Sequence, residues 1–324
     1  MATAEMIQEL IRAHVTGDAD RFRQIALQVA SREARSGHRL AAGKIRDLLD
    51  QPSPEPLAQP TPIMRPSRDL EGILSASYPE LSLRDIVLEG EAERAFARIF
   101  NEQQQASKLA EWGLPPRRRL LLHGPPGCGK TLGAGVLAGE LSLPLFRVRV
   151  ETLFSRFMGE TATFLSEIFA QAAHKRGVYL FDEFDSIGKH RADDNDVGEA
   201  RRIVSTFLQL LDADQSESIL IAATNERGAI DRALFRRFDD VVPFDLPTPK
   251  ALRSLLSLRT ATYGFNSRAI GELAKKADGL SYADVTAAVV DAVKEMVLDG
   301  RESLRPADVS AALAEIARQQ APAA

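Results

Sequence analysis

Three uninterrupted apolar runs stand out along this chain: Leu120-Leu-Leu122, Val178-Tyr-Leu-Phe181 and Ile219-Leu-Ile-Ala-Ala223. Runs without polar alternation are expected of parallel strands buried on both faces. Leu143 to Val150 reads as a further strand, and Asp240 to Phe244 as an edge strand that ends the sheet before Pro247 and Pro249. Between the strands, apolar residues recur at helical spacing: Leu132 to Leu141, then Phe164, Leu165, Ile168 and Phe169, then Ile203, Val204, Phe207, Leu208 and Leu211. Glu89 to Leu109 is helical by composition. Trp112-Gly-Leu-Pro-Pro116 then turns the chain into the first strand, with Trp112 expected as a packed anchor because tryptophan is so often buried. From about Pro249 strand signals stop, and Leu252 to Leu258, Ile270 to Lys276, Ala283 to Val297 and Pro306 to Ala317 read as amphipathic helices. Strands alternating with helices, then helices alone, predict an α/β domain with a parallel sheet and a small α-helical domain after it.

The chain upstream has a different pattern. Residues 1–51 read as three short helices: Met6, Ile7, Leu10 and Ile11, then Phe22, Ile25, Ala26 and Val29 after the break at Gly17-Asp-Ala-Asp20, then Leu40, Ile45, Leu48 and Leu49 after Gly37. Pro52, Pro54, Pro56, Pro60, Pro62 and Pro66 follow with few apolar residues, as expected of an extended, semi-rigid linker. Asp69 to Pro79 reads as the ill-defined end of that connection. The expected organisation is a helical module (1–51), a Pro-rich linker (52–82), an α/β domain (83–248) and a helical lid domain (249–324).

The chemistry lies where the apolar runs end. Leu120-Leu-Leu122 leads into Gly124-Pro-Pro-Gly-Cys-Gly-Lys-Thr131, a phosphate-binding P-loop between a strand and a helix. Its glycines let backbone N–H groups converge at a helix N-terminus, so phosphates can be held largely by main chain. Pro126, Gly127, Cys128, Gly129, Lys130, Thr131 and Leu132 are therefore expected to contact a nucleotide, Lys130 reaching the β- and γ-phosphates and Thr131 ligating Mg²⁺. Val178 to Phe181 ends in Asp182-Glu183, two carboxylates at a strand's C-terminal tip, the edge at which open α/β sheets bind ligands. Asp182 is expected to hold Mg²⁺ through its water shell and Glu183 to deprotonate the attacking water; the bland alternative is a solvated pair ending a strand. Asn225, after the third run, could bridge that water and the γ-phosphate, though a lone Asn is often just a turn residue. Arg236 and Arg237 could bind a transferring phosphoryl group bidentately, or be ordinary solvated surface.

Taken in order, Gly124 to Thr131, Leu180-Phe-Asp-Glu-Phe-Asp185, Ala223-Thr-Asn225 and Ala233-Leu-Phe-Arg-Arg-Phe-Asp239 resemble the Walker A, Walker B, first-sensor and arginine-finger segments of the AAA family of ATPases. The resemblance runs from about Leu83 to Ala317. It implies an ATPase using ATP and Mg²⁺, in a P-loop α/β fold with a helical lid, working as a homo-oligomeric and usually hexameric ring. Arg236 or Arg237 would serve the neighbouring subunit's site; this chain has no Pro-Gly between its arginines, as in the shorter form of the motif. Asp85, Ile86 and Val87 would contact adenine. Arg156-Phe157-Met158-Gly159 is similar to the pore loop with which protein remodellers grip substrate, and Gly188 to Gly198 stands where a second pore loop does. Gly279-Leu-Ser-Tyr-Ala-Asp284 resembles the family's lid turn, with Ser281 facing the nucleotide. Residues 1–51 would recruit a protein partner, with a protease acting in trans as one candidate.

Composition narrows this picture. With 44% hydrophobic and 27% charged residues and a net charge of −4, the chain is an ordinary folding sequence with no basic bias towards nucleic acid. No apolar stretch approaches the roughly eighteen residues of a membrane span, and the N-terminus lacks a signal peptide's apolar core, so a cytoplasmic protein is expected. No His-Glu-x-x-His stretch marks the chain as a protease. The single cysteine, Cys128, excludes an intramolecular disulfide, but at a helix N-terminus its thiol could be activated and make the P-loop redox-sensitive. The expected function is ATP hydrolysis coupled to remodelling of a protein substrate. The rivals are a slow nucleotide switch signalling through the N-terminal helices and a DNA-processing ATPase.

Overall fold

The computed structural model describes residues 25–26, 29, 70, 72–150, 160–185, 194–225 and 235–320. The chain forms two compact units, Met1–Pro62 and Ile63–Ala324. In the first, the described residues Ile25, Ala26 and Val29 are helical and buried, as their spacing predicts.

In the second unit the strands are β1 (Leu74–Ser77), β2 (Arg119–His123), β3 (Leu145–Arg149), β4 (Val178–Asp182), β5 (Ile219–Thr224) and β6 (Asp240–Pro243). They form one sheet in the order β1-β3-β4-β5-β2-β6. All neighbours are parallel except β1 and β3. The apolar runs are continuous because both faces of the central strands are covered, and the pleat divides them strictly. Tyr179 and Phe181 of β4 join Leu121, Leu220 and Ala222 in one core, while Val178 and Leu180 join Leu120, Leu122, Ile219 and Ile221 in the other. Helices α1 (Gly90–Gln104) and α3 (Lys130–Glu140) cover the second core through Phe96, Ile99, Val136 and Leu137. Helices α4 (Thr161–His174) and α5 (Asp194–Ala213) cover the first, where Phe169, Phe181, Phe184 and Phe207 pack ring against ring at centroid distances of 4.7–5.8 Å. Aromatic pairs at such spacings add about 0.5–1.5 kcal/mol each beyond area burial.

Beyond β6, helices α6 (Pro249–Thr260), α7 (Ile270–Lys276), α8 (Tyr282–Leu298) and α9 (Pro306–Gln320) form the helical lid around a separate core centred on Leu252, Leu256, Val285, Ala288, Val309 and Leu313.

Three expectations are corrected here. Part of Asp69 to Pro79 is ordered sheet: β1 pairs antiparallel with β3, and Leu70, Ile73 and Leu74 are buried. Four residues with alternating serines are too short to show a period, and long-range pairing alone makes them a strand. Trp112 is no packed anchor, being 80% exposed. It follows α2 (Ala106–Ala110), a one-turn helix that buries no residue and offers the indole no wall. The polar stretch read as a loop to Gly198 is helical from Asp194, because the sequence of its first turn, Asp194-Asn-Asp-Val197, carries no apolar stripe to announce it. The pore-loop residues Arg156, Phe157 and Met158 lie outside the described residues, as does the stretch from Gly188 to Asp193.

Candidate active site

The parallel strands of the sheet's centre end together, and their tips build the wall of a cleft of about 670 Å³ whose other wall is the lid. After β2 the chain leaves at Gly124, whose N–H donates to the Thr224 carbonyl at 3.2 Å. A Cβ at Gly124 would stand 2.0 Å from the Phe244 carbonyl oxygen, so the loop passes β6 at a distance only glycine allows. Gly127 and Gly129 hold φ values of 74° and 95°, and Gly129 is the N-cap of α3, so its first N–H groups open towards the cleft. Lys130 is buried, with Nζ donating to the Gly124 and Pro125 carbonyls at 2.6 and 2.8 Å. Burial pushes its pKa down, opposed by Cys128, Asp182 and Asp185.

The carboxylates at the tip of β4 have different surroundings. Asp182 is buried; its Oδ2 accepts from Thr131 Oγ1 at 2.9 Å and Arg147 Nη2 at 2.8 Å, and its Oδ1 from the Glu183 N–H at 3.1 Å. Glu183 is exposed on the cleft and sits at φ 56°, a left-handed conformation uncommon outside glycine. Phe184 then donates its N–H to Ala223 at 2.8 Å and returns the chain to the sheet. Asn225 lines the same cleft, its N–H held at 3.1 Å by the buried Asp185 carboxylate.

Asp85, Ile86 and Val87 also line the cleft. Asp85 closes a turn by accepting from the Ser82 N–H and hydroxyl at 2.8 and 2.9 Å, bonds that hold its carboxyl below the usual range. Arg259 of α6 reaches the Asp85 carbonyl at 3.4 Å and lines the cleft beside it, with a buried Nε that no group among the described residues accepts.

Two sequence expectations change. Ser281 does not line the cleft. It is the N-cap of α8 in a capping box: its hydroxyl accepts from the Asp284 N–H at 3.2 Å, and Asp284 accepts from the Ser281 N–H at 2.9 Å. It packs against the P-loop, where a Cβ at Gly127 would come within 2.4 Å of its Oγ. The lid meets the cleft instead through Tyr282, Ala283 and Thr286, and Ala283 donates its N–H to the Gly127 carbonyl at 3.0 Å. Cys128 is buried, and burial pushes its thiol pKa up against the pull of Lys130, the opposite of activation. Sequence reasoning missed Arg147, Arg259 and Tyr282 at the cleft; Arg147 and Arg259 belong to no motif and only the fold brings them there, whereas Tyr282 stands in the lid turn beside Ser281. Burial pushes the Tyr282 phenol up to about 12, so it stays a neutral hydrogen-bond donor at neutral pH.

Arg236 and Arg237 are exposed and do not line the cleft, and Arg237 pairs with Asp212 of α5.

The donor set fits a magnesium nucleotide. Among the described residues no group of three or more His, Cys, Asp or Glu could hold a metal unaided. Mg²⁺ at nucleotide sites takes one or two carboxylates together with phosphate oxygens, which suits the Thr131 hydroxyl and Asp182. The Gly127 and Gly129 cradle, the α3 N-terminus and Lys130 suit the phosphates.

This fold and site define a P-loop nucleoside triphosphatase. The chain matches the family described as the ATPase family associated with various cellular activities (AAA) over residues 120–246. It is 33% identical to the uncharacterized AAA family ATPase y4kL of Sinorhizobium fredii, over 99% of this chain and 97% of that protein. It is also similar to the proteasome-activating nucleotidase of Thermococcus onnurineus (35% identity, 63% of this chain and 53% of that protein). A third relative is the ATP-dependent zinc metalloprotease FtsH of Lancefieldella parvula (30% identity, 71% of this chain and 37% of that protein). The chain belongs to the AAA family and is an ATP hydrolase. It spans nearly all of the first relative but only about half of the nucleotidase. Among the described residues no helix is long and apolar enough to cross a membrane.

Proposed function

We propose that this ATPase couples hydrolysis to the remodelling of a protein substrate, working as a ring in which each subunit's arginine completes its neighbour's site. Bound ATP supplies the γ-phosphoryl group, and Mg²⁺ offsets its charge. The α3 N-terminus and Lys130 hold the phosphates, while Thr131 and Asp182 hold the metal. Glu183, exposed beside them, takes the proton of the attacking water, and Asn225 orients that water.

The observation that carries the ring is the separation of the arginines from the rest of the catalytic set. Glu183 and Asn225 line the cleft, whereas Arg236 and Arg237 face outwards from the same chain. A cation needed at the γ-phosphate but mounted outside the cleft is suited to a second subunit's site. The remodelling assignment draws further support from a relative named for activating the proteasome and from another named as an ATP-dependent protease. A protease acting in trans is accordingly one candidate partner for residues 1–51.

Phe157 is the proposed substrate grip, since an aromatic face holds an extended chain of any sequence by apolar contact. Phe157→Ala should leave melting and basal ATP hydrolysis nearly unchanged while abolishing ATP-driven loss of fluorescence from a fluorescent protein with an unstructured tail. A core phenylalanine would instead lose about 3–5 kcal/mol of stability and all activities together. Unaltered melting with unaltered unfolding would remove Phe157 from the mechanism and favour the slow nucleotide switch.

A further inference from the structure

Arg147 belongs to none of the motifs, yet it lines the nucleotide cleft with Lys130, Thr131, Asp182 and Glu183. Its backbone is fixed by the sheet: β3 pairs it with Leu180 of β4 on one side and Ser75 of β1 on the other. From that anchored root the side chain reaches past β4 to the strand's tip. Its Nη2 donates to Asp182 Oδ2 at 2.8 Å, the same oxygen that accepts the Thr131 hydroxyl at 2.9 Å. The carboxylate is buried, its side chain 11% exposed, whereas the Arg147 side chain is 49% exposed and has room to turn within the cleft.

One carboxylate oxygen thus serves both residues suited to the metal and an arginine as well. A guanidinium and a divalent cation are electrostatic rivals for that oxygen. A guanidinium is also a strong partner for phosphate, because its fork matches phosphate oxygens and its charge is permanent.

We propose that Arg147 is a positioning residue that couples nucleotide binding to the metal. It holds Asp182 through the oxygen a divalent cation takes, and while no cation is bound its guanidinium stands in for the metal between that carboxylate and the phosphates of the same cleft; a cation that takes the oxygen displaces it. This inference rests on the assignment of Thr131 and Asp182 to the metal and of Lys130 to the phosphates. Its consequence concerns binding. With Arg147 present, part of the metal's charge compensation is already supplied by protein, so metal-free ATP is tolerated better and the gain on adding Mg²⁺ is smaller.

The test uses the full chain carrying Glu183→Gln, to suppress turnover, and a fluorescent ATP analogue. Its Kd is measured in EDTA and at saturating Mg²⁺, and the quantity read is the ratio of the two. Arg147→Ala should raise that ratio about tenfold, mostly by weakening metal-free binding, as expected for loss of a charge-assisted hydrogen bond to phosphate. Arg147→Lys, which keeps the charge but not the fork, should fall between. Arg147→Gln carries the same comparison if the alanine variant melts early. An unchanged or lowered ratio, or equal weakening with and without Mg²⁺, overturns the proposal and leaves Arg147 an ordinary surface cation. So does metal-free binding in the Arg147 parent no tighter than in a Lys130→Ala variant. Lys130→Ala also separates the two levels of the argument: if it binds with the parent's affinity at saturating Mg²⁺, the phosphate assignment itself has failed.

Discussion

Neighbouring carboxylates at one strand tip carry different tasks because their surroundings differ. Asp182 is buried and already held by Thr131, Arg147 and a backbone N–H, which fixes its oxygens for a cation and ill suits them to taking a proton from water. Glu183 is turned into the cleft by a φ of 56°. Strain of this kind costs roughly 1–3 kcal/mol and persists only where surrounding structure imposes it; here the Phe184 N–H bond to β5 does so. Glu183→Gln should keep nucleotide affinity while turnover falls by about 10²-fold or more, the range of a general base. Lys130→Ala should lose most binding. Equilibrium binding and single-turnover hydrolysis on both variants check the division, and normal turnover in Glu183→Gln would remove it as the base.

At the scale of elements, the contact between the P-loop and the α8 N-terminus joins the sheet to the lid. Ala283 bonds to Gly127, and Ser281 caps α8 while packing on the same glycine. Sequence reading assigned Ser281 to the nucleotide; its cap geometry assigns it to the helix. The two roles separate experimentally, because an N-cap serine costs about 1 kcal/mol when replaced by alanine but only a few tenths when replaced by glycine. Ser281→Ala should therefore lower the melting temperature by roughly 2–4 °C and Ser281→Gly by much less, with nucleotide affinity similar in both. A nucleotide ligand would lose affinity equally in the two variants, whatever their melting temperatures.

For the whole molecule, the proposed trans arginine makes activity a property of the assembly. Arg237 is engaged by Asp212 of its own subunit, which points to Arg236 as the finger. Arg236→Ala should lose about 10³-fold in turnover, by analogy with fingers supplied in trans, and more than Arg237→Ala loses. Mixing inactive Glu183→Gln with inactive Arg236→Ala subunits should restore part of the ATPase activity, since some sites then combine an intact glutamate with an intact arginine. Demonstrated subunit exchange with no recovery would contradict the arrangement.

What could be read from the chain alone was what is local. Each apolar run followed within a few residues by its polar tip defines a strand and the chemistry mounted on it, so the P-loop, Asp182, Glu183 and Asn225 were legible, as was the family. Helical spacing revealed the lid for the same reason. What only the tertiary structure decided depends on residues distant in sequence. Arg147 meets a carboxylate 35 residues away and Arg259 a carbonyl 174 residues away, and neither has a flanking pattern to announce it. A four-residue β1 becomes a strand only because β3 presents an open edge. Trp112 stays exposed because no described element covers it, whereas the Ser281 cap is local, with Asp284 three residues on completing the box. Local patterning specifies strands, helices and the polar residues at their ends, whereas the partner of each side chain is set by long-range packing.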